Sequence, residues 1–347
     1  MSERRTYLDV GVGETRGVVT LDGRPERLLI RRDGDLACQM LGAEVIGRVR
    51  KVERQLALAF IDLGEGPDGV LNLRPDMERL VEGQAVRVEI RSEARAGKGA
   101  SLRLAGEGEG PPRLVAPAPS IEDELTGVAS RAELITGGVA RATADTAEAE
   151  ALETVFPLPG GGTVAIEATR ALIAVDVDLG DRGGSDAKRA TRAANFAALT
   201  TAARVLRLKG EGGLVVIDLA GRGHDGPALI SGARLAFGPD NPGVAFGPIS
   251  RFGTLELTVP RRRRSAADHL LDAVGQPTAQ TLALRLVRQL ERAAAGDRGA
   301  RLEARAAPDV AEAAQPYLKG LTDRFGARLA LVADAGRPRE DPEVAPP

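Results

Sequence analysis

A multidomain chain of mixed α+β and α/β class is predicted, and three observations predict it. Between residues 41 and 105, five short β-type runs follow one another with glycine turns between them, the pattern of a small barrel. Between 171 and 218, a β-branched run, a long amphipathic segment and a second β-branched run alternate, which predicts parallel strands joined by a right-handed crossover helix. The length, 347 residues, exceeds what one small core organises.

The elements follow in order. Within residues 1–40, RTYLDVGV, TRGVVTLD and ERLLIRRD form a strand meander with Gly-containing turns such as Asp22-Gly23. AEVIGRVRKVE, ALAFIDLG, DGVLNL, QAVRVEIRSE and ASLRLAG are the strands of an OB-type barrel over 41–106. Such barrels hold single-stranded nucleic acid on aromatic and basic residues. Phe60 is therefore a stacking candidate, with core packing as the plain alternative, and Lys51, Arg54 and Lys98 are phosphate-contact candidates. Residues 107–159 begin with the Gly/Pro-rich GEGEGPPRLVAPAPS, a linker, and continue as a weakly helical Ala- and Glu-rich element. Over 160–265, GGTVAIEAT and ALIAVDVDL are strands, 186–209 is a helix with Phe196, Leu199, Ala203 and Leu206 on its apolar face, and GGLVVIDLA is a strand. A shorter helix at 222–236 and two strands in GVAFGPISRFGTLELTV complete that unit. Residues 266–347 are a small α/β piece of helix, strand, helix with one proline, and strand, ending in a frayed tail, PREDPEVAPP.

Composition narrows the function. The net charge of −2 gives no global basic field, so nucleic acid would bind on local patches. Arg261–Arg264 form one such patch, following directly on a strand. Aromatic content is 3% with no Trp, so the cores are built from Ala, Val, Leu and Ile. No apolar run approaches the ~18 residues of a membrane span, and MSERRTYLDVGVGETRG lacks a signal-peptide core. A cytoplasmic location is expected. The single cysteine, Cys38, excludes an internal disulfide and a Cys-cluster zinc site.

The chemistry sits where two apolar strands end. ALIAVDVDLG delivers Asp176 and Asp178, and GGLVVIDLAGRG delivers Asp218. Aspartates here could simply cap a turn or the next helix. Two carboxylates brought together at the ends of parallel strands repel, however, and a hard cation such as Mg²⁺ relieves that. This pattern points to phosphodiester chemistry at the carboxyl ends of the strands, where α/β sheets place their sites. His224 and Asp225 follow Asp218 closely, and His224 is a further candidate beside its plain reading as a loop histidine. Lys209 and Arg251 are candidates to hold a nucleic-acid backbone, with surface charge as the alternative.

These segments resemble the ribonuclease E/G family. LDVGVGETRG and ERLLIRRD resemble its RNase H-like strands, GRVRKVERQLALAFIDLGEGPDGVLNL its inserted S1-like OB-fold, and ALIAVDVDLG, VLRLKGEGGLVVIDLAG and GPISRFGTLELT its DNase I-like catalytic subdomain. TLALRLVRQLERAA and DVAEAAQPYLKGLTDRFGARLALV resemble its small C-terminal domain. The resemblance implies an Mg²⁺-dependent endoribonuclease (with Mn²⁺ as a substitute) that cuts single-stranded RNA by a metal-activated water, in RNA processing such as that of ribosomal RNA. Asp176 and Asp218 match the family's metal-binding aspartates, and Asp178 stands where the family has a supporting asparagine. Phe60 and Lys98 match RNA-contacting positions, with Arg261 and Arg262 added here, while Val70 replaces a second aromatic. The family's zinc-sharing cysteine pair is absent, with RRRRSAADHLLDAVGQ in its place, and the 5′-phosphate sensor region is much shortened. No structural zinc is expected, and any homo-oligomer would form through the C-terminal domain. The alternative is a non-catalytic RNA-binding protein that keeps the fold.

Overall fold

The structure, a computed structural model, describes residues 3–346 apart from 78, 96, 130–131, 181–186 and 239. Strands β1 (Arg4–Val10), β2 (Glu14–Leu21) and β3 (Arg24–Arg32) are the expected antiparallel meander. Asp22 and Gly23, with φ of 51° and 79°, make the β2–β3 turn, the left-handed pair that matches the twist of a hairpin.

The barrel follows. β4 (Glu44–Glu53), β5 (Leu58–Asp62), β6 (Gly69–Asn72), β7 (Ala85–Ser92) and β8 (Ser101–Glu107) pair in the order β5-β6-β8-β7-β4. β4 pairs with β5 as well, which closes the ring. A register shift between Val49 and Lys51 bends β4 so that it can serve both neighbours. The interior is Val45, Val49, Ala59, Ile61, Leu71, Val86, Val88 and Ile90. β9 (Arg113–Ala116) pairs with Glu44–Ile46 of β4. It lies in the stretch expected to be linker, because the unpaired backbone of β4 recruits it.

The Ala- and Glu-rich stretch is also better ordered than expected. It contains α1 (Ile121–Val128), opened by a Ser120/Asp123 capping box, then β10 (Leu134–Thr136) and α2 (Gly138–Leu152). β10 joins β1 in parallel. Ile121 and Leu125 of α1 pack with Leu8, Val19 and Leu29 on one face of the sheet. Ala140, Ala144, Ala147 and Ala151 of α2 pack with Tyr7, Val18 and Leu28 on the other. A sheet covered on both faces explains the continuous burial of β2.

The next unit comprises β11 (Val155–Pro157), β12 (Thr163–Ala168), β13 (Ile173–Asp178), α3 (Ala187–Lys209), β14 (Gly213–Asp218), α4 (Gly226–Phe237), β15 (Ala245–Ile249) and β16 (Thr254–Val259). Its sheet has the order β11-β12-β13-β14-β16-β15. Only β13–β14, the pair joined by the crossover helix α3, is parallel. Helices α3 and α4 share one core with Val175, Ile217 and Leu257. The opposite face carries Glu167, Asp176, Asp178, Asp218 and Glu256, all exposed.

The last unit contains α5 (Ala266–Leu270), α6 (Ala279–Gly296), β17 (Leu302–Ala306), α7 (Pro308–Phe325), β18 (Leu329–Ala333) and β19 (Glu343–Ala345). β19 comes from the tail expected to fray; it pairs antiparallel with β17 and completes a sheet of order β18-β17-β19. Among the described residues, no helix is long and apolar enough to cross a membrane.

A buried ionic network ties the first sheet, α2 and α6 together. Arg16, 0% exposed, bonds Asp9 at 2.6 Å, Asp145 at 2.8 Å and Glu148 at 2.9 Å. Arg288 of α6 reaches Glu14 at 2.5 Å and Glu148 at 3.0 Å. Arg141 bridges Asp9 and Glu291 at 3.0 and 2.6 Å.

His269 makes the fold sensitive to acid. Its Nδ1 is shut off from solvent, without a partner among the described residues. Burial first, then Arg264 and Arg32, hold the imidazole well below its usual range against the pull of Asp35 and Asp268. The unfolded chain binds this proton near pH 6.5 and the fold does not, so its contribution is complete above that pH and is lost as the pH falls. His269→Gln is expected to flatten the decline of urea stability between pH 7 and pH 5 by up to about 1.4 kcal/mol per pH unit. Equal slopes in the two proteins would contradict this.

Candidate functional site

The parallel pairing of β13 and β14 puts Asp176 directly beside Asp218, with their Cα atoms about 4.8 Å apart by strand spacing. Val175 and Ile217 point into the core, so alternation turns both aspartates onto the open face. Among the described residues neither carboxylate has a hydrogen bond or ion pair. Ala165 and Thr254 flank them in register, on β12 and β16. Asp178 lies on the same face, opposite Thr163, but its Oδ1 accepts the Gly180 N–H at 2.9 Å and so caps the turn after β13.

Asn195 is a residue the sequence reading missed. Buried on α3, it donates to the Ala220 carbonyl and accepts the Ala220 N–H, each at 3.0 Å. This pair fixes the chain just beyond Asp218. The available signal was an asparagine inside the apolar face of the helix. Asn195→Ala orphans both groups of Ala220 and is expected to cost about 1–3 kcal/mol in urea unfolding; a cost under half of that would remove its anchoring role.

A second site lies on the barrel. Phe60, Val70, Lys98, Arg261 and Arg262 line one groove of about 580 Å³. Phe60 is half-buried on its wall and belongs to the surface, not to the core. Val70 is its register partner on β6. Exposed Lys98 sits on a tight turn closed by backbone bonds to Arg95 of 2.8 and 3.0 Å. Gly99 follows because a Cβ there would lie 1.8 Å from the Asp68 carbonyl oxygen. Arg262 is exposed and without an ion pair among the described residues, whereas Arg261 pairs with Asp268. The run is fixed to the barrel: Glu93 N donates to the Arg262 carbonyl at 2.8 Å, and Arg264 N to Glu93 Oε2 at 2.9 Å.

This groove does not adjoin the carboxylates, although the arginine run follows directly on a strand of their sheet. Thr254 opens β16 beside Asp218, and antiparallel β16 then carries the chain about 17 Å away before the arginines begin. Lys51 is β4's register partner of Phe60 but pairs with Glu53, and Arg54 lies on an exposed 3₁₀ turn; neither lines the groove. Lys209 also lies elsewhere. It ends α3 at the far end of the sheet, donates to the Glu153 carbonyl and sits 5.7 Å from the Phe156 ring centroid. Burial lowers its pKa, so its contacts are those of a packing residue.

Beside Asp218, a cleft of about 840 Å³ lies between residues 221–227 and 248–253 and holds His224 and Arg251. Among the described residues, the His224 Nε2 is buried without a partner. Asp225 caps α4 by accepting the Ala228 N–H at 3.2 Å. Among the described residues, no three His, Cys, Asp or Glu side chains form a metal cage.

Comparison with known proteins matches residues 130–264 to the ribonuclease E/G family. The ribonuclease E of Haemophilus influenzae is 37% identical over 108 residues, 30% of this chain and 11% of that protein. The Escherichia coli enzyme is 36% identical over 108 residues, 30% of this chain and 10% of that protein. That of Buchnera aphidicola from Acyrthosiphon pisum is 33% identical over 114 residues, 32% of this chain and 12% of that protein. The matched stretch thus spans about a tenth of these relatives' length. Residues 130–264 contain β13, α3 and β14, and with them both aspartates; over this stretch the chain is similar to the ribonuclease E/G family.

Proposed function

We propose that this chain is an Mg²⁺-dependent endoribonuclease that cuts single-stranded RNA. The observation that carries the reading is the side-by-side register of Asp176 and Asp218 on an open sheet face. The donor set fits Mg²⁺, which takes one or two carboxylates and keeps waters and substrate phosphate for its remaining positions. Asp176 and Asp218 would hold it, with Asp178 adding negative charge nearby. Once bound, the cation supplies an acidified water and charge stabilisation for the phosphoryl oxygens. The open face leaves room for a phosphodiester to approach both carboxylates. Phe60 offers a ring to one base, and Lys98 and Arg262 offer cations to the backbone. With this reading go the finer fold assignments: RNase H-like for the first sheet, S1-like for the barrel and DNase I-like for the sheet with the aspartates.

Cleavage of a fluorescent single-stranded RNA with and without Mg²⁺ tests the activity. Cutting that requires the cation supports it, while binding without cutting across metals would replace it with the RNA-binding reading. The groove has its own test. Phe60→Ala is expected to weaken RNA binding by about 1–3 kcal/mol. Arg262→Ala should lower the slope of log K against log salt by about 0.7, and an unchanged slope would remove Arg262 from the groove's contacts.

A further inference from the structure

We propose that the cleft beside Asp218 is a nucleobase subsite, in which Phe252 stacks against an unpaired base of the RNA flanking the bond to be cut. The inference rests on the reading of Asp176 and Asp218 as the cutting site.

Phe252 is 77% exposed in a chain with seven phenylalanines and no tryptophan. Exposing so large an apolar ring is unfavourable unless something covers it. Its presentation is also built. The Ser250–Thr254 turn is held by Ser250 N to the Thr254 carbonyl at 2.9 Å, Gly253 N to the Ser250 carbonyl at 3.0 Å and Phe252 N to Ser250 Oγ at 3.2 Å. The hydroxyls of Ser250 and Thr254 are 2.7 Å apart. Leu219 N donates to the Gly253 carbonyl at 3.3 Å, and Thr254 is the register partner of Asp218. The ring is therefore set on a braced turn next to the carboxylates.

The surroundings select a base over an aliphatic group. The Arg251 guanidinium lies 4.8 Å from the ring centroid, a cation that can also meet a phosphate. Arg222 lines the cleft with no ion pair among the described residues. The His224 Nε2, unpartnered among the described residues, offers a polar group to a base edge, and Ile230 and Ile249 supply apolar wall. An aromatic face, flanking cations and one polar reader form a platform for a stacked base.

The test scans a single abasic nucleotide along a short single-stranded RNA. For the wild type, KM should rise about tenfold when the abasic position adjoins the cut, with kcat within about twofold. Phe252→Ala should show that raised KM on intact RNA and no further response to the abasic position, and Phe252→Tyr should restore both. Persistence of the abasic response in Phe252→Ala, or a Phe252→Leu variant equal to the wild type, would overturn the subsite. If the wild type cuts no RNA, equilibrium binding of the same oligonucleotides decides separately. A position-specific affinity loss seen in the wild type and absent in Phe252→Ala supports stacking, and equal losses refute it.

Discussion

Asp176→Asn and Asp218→Asn are each expected to lower cleavage of single-stranded RNA by on the order of 10²–10³-fold while leaving RNA affinity nearly intact. On the proposed reading, either change removes one of the two charges that would together compensate a divalent cation on the open face. The groove at Phe60, Lys98 and Arg262 lies about 17 Å along β16 from them, so the proposed binding and cutting should be separable. Both side chains are exposed, and their loss should move urea stability by no more than about 0.5 kcal/mol. The double variant should be little worse than either single one, because the two act as a unit. Rate loss accompanied by equal loss of RNA affinity would assign the aspartates to binding or folding instead of catalysis.

Arg16→Met is expected to be the most damaging single change to stability, at about 3–5 kcal/mol. Burial by itself would lower the Arg16 pKa, but Glu148, Asp9 and Asp145 override it, and the guanidinium is held charged beyond its ordinary value. Removing it leaves Asp9 and Glu148 with less compensation in an environment almost without water. Arg16→Lys should recover only part of the loss, since one ammonium cannot reproduce the planar fork that meets three carboxylates. The pH dependence follows from Glu148. Burial raises its pKa, but Arg288, Arg16 and Arg285 lower it further, for a net depression. Its contribution is present above the usual carboxylate pKa and is lost as the pH falls below it. The deficit of Arg16→Met should therefore be largest near pH 7 and shrink below about pH 4.5, where protonation removes the unpaired charges. Urea midpoints across that range provide the check, and a deficit independent of pH would make Arg16 a packing residue.

Much of the fold was legible because its signals are local. The alternation in β12, β13, β14 and β16 placed the strands, the apolar stripe of α3 placed the crossover, and the position of Asp176 and Asp218 at the ends of their strands placed both at one end of the sheet. Phe60 and Lys98 were legible as barrel residues. Other features depend on partners distant in sequence. β9 and β19 are too short to declare themselves and exist because β4 and β17 offer free edges. Arg16 and Glu148 look like ordinary surface charges in sequence, since a charge that will be compensated 132 residues away carries no local mark. Lys209 followed the same rule in the opposite direction, a basic residue that the fold uses for packing.

The sequence by itself determined the strand and helix order, the two aspartate-tipped strands and the family resemblance, because periodicity and residue type act over a few neighbours. Only the tertiary structure decided that Asp176 and Asp218 stand in one register, that Arg261 and Arg262 join the barrel groove away from the carboxylates, and that Phe252 is held out beside Asp218. Those outcomes depend on which backbone edges pair and which charges are buried together, and both are settled only when the whole chain closes on itself.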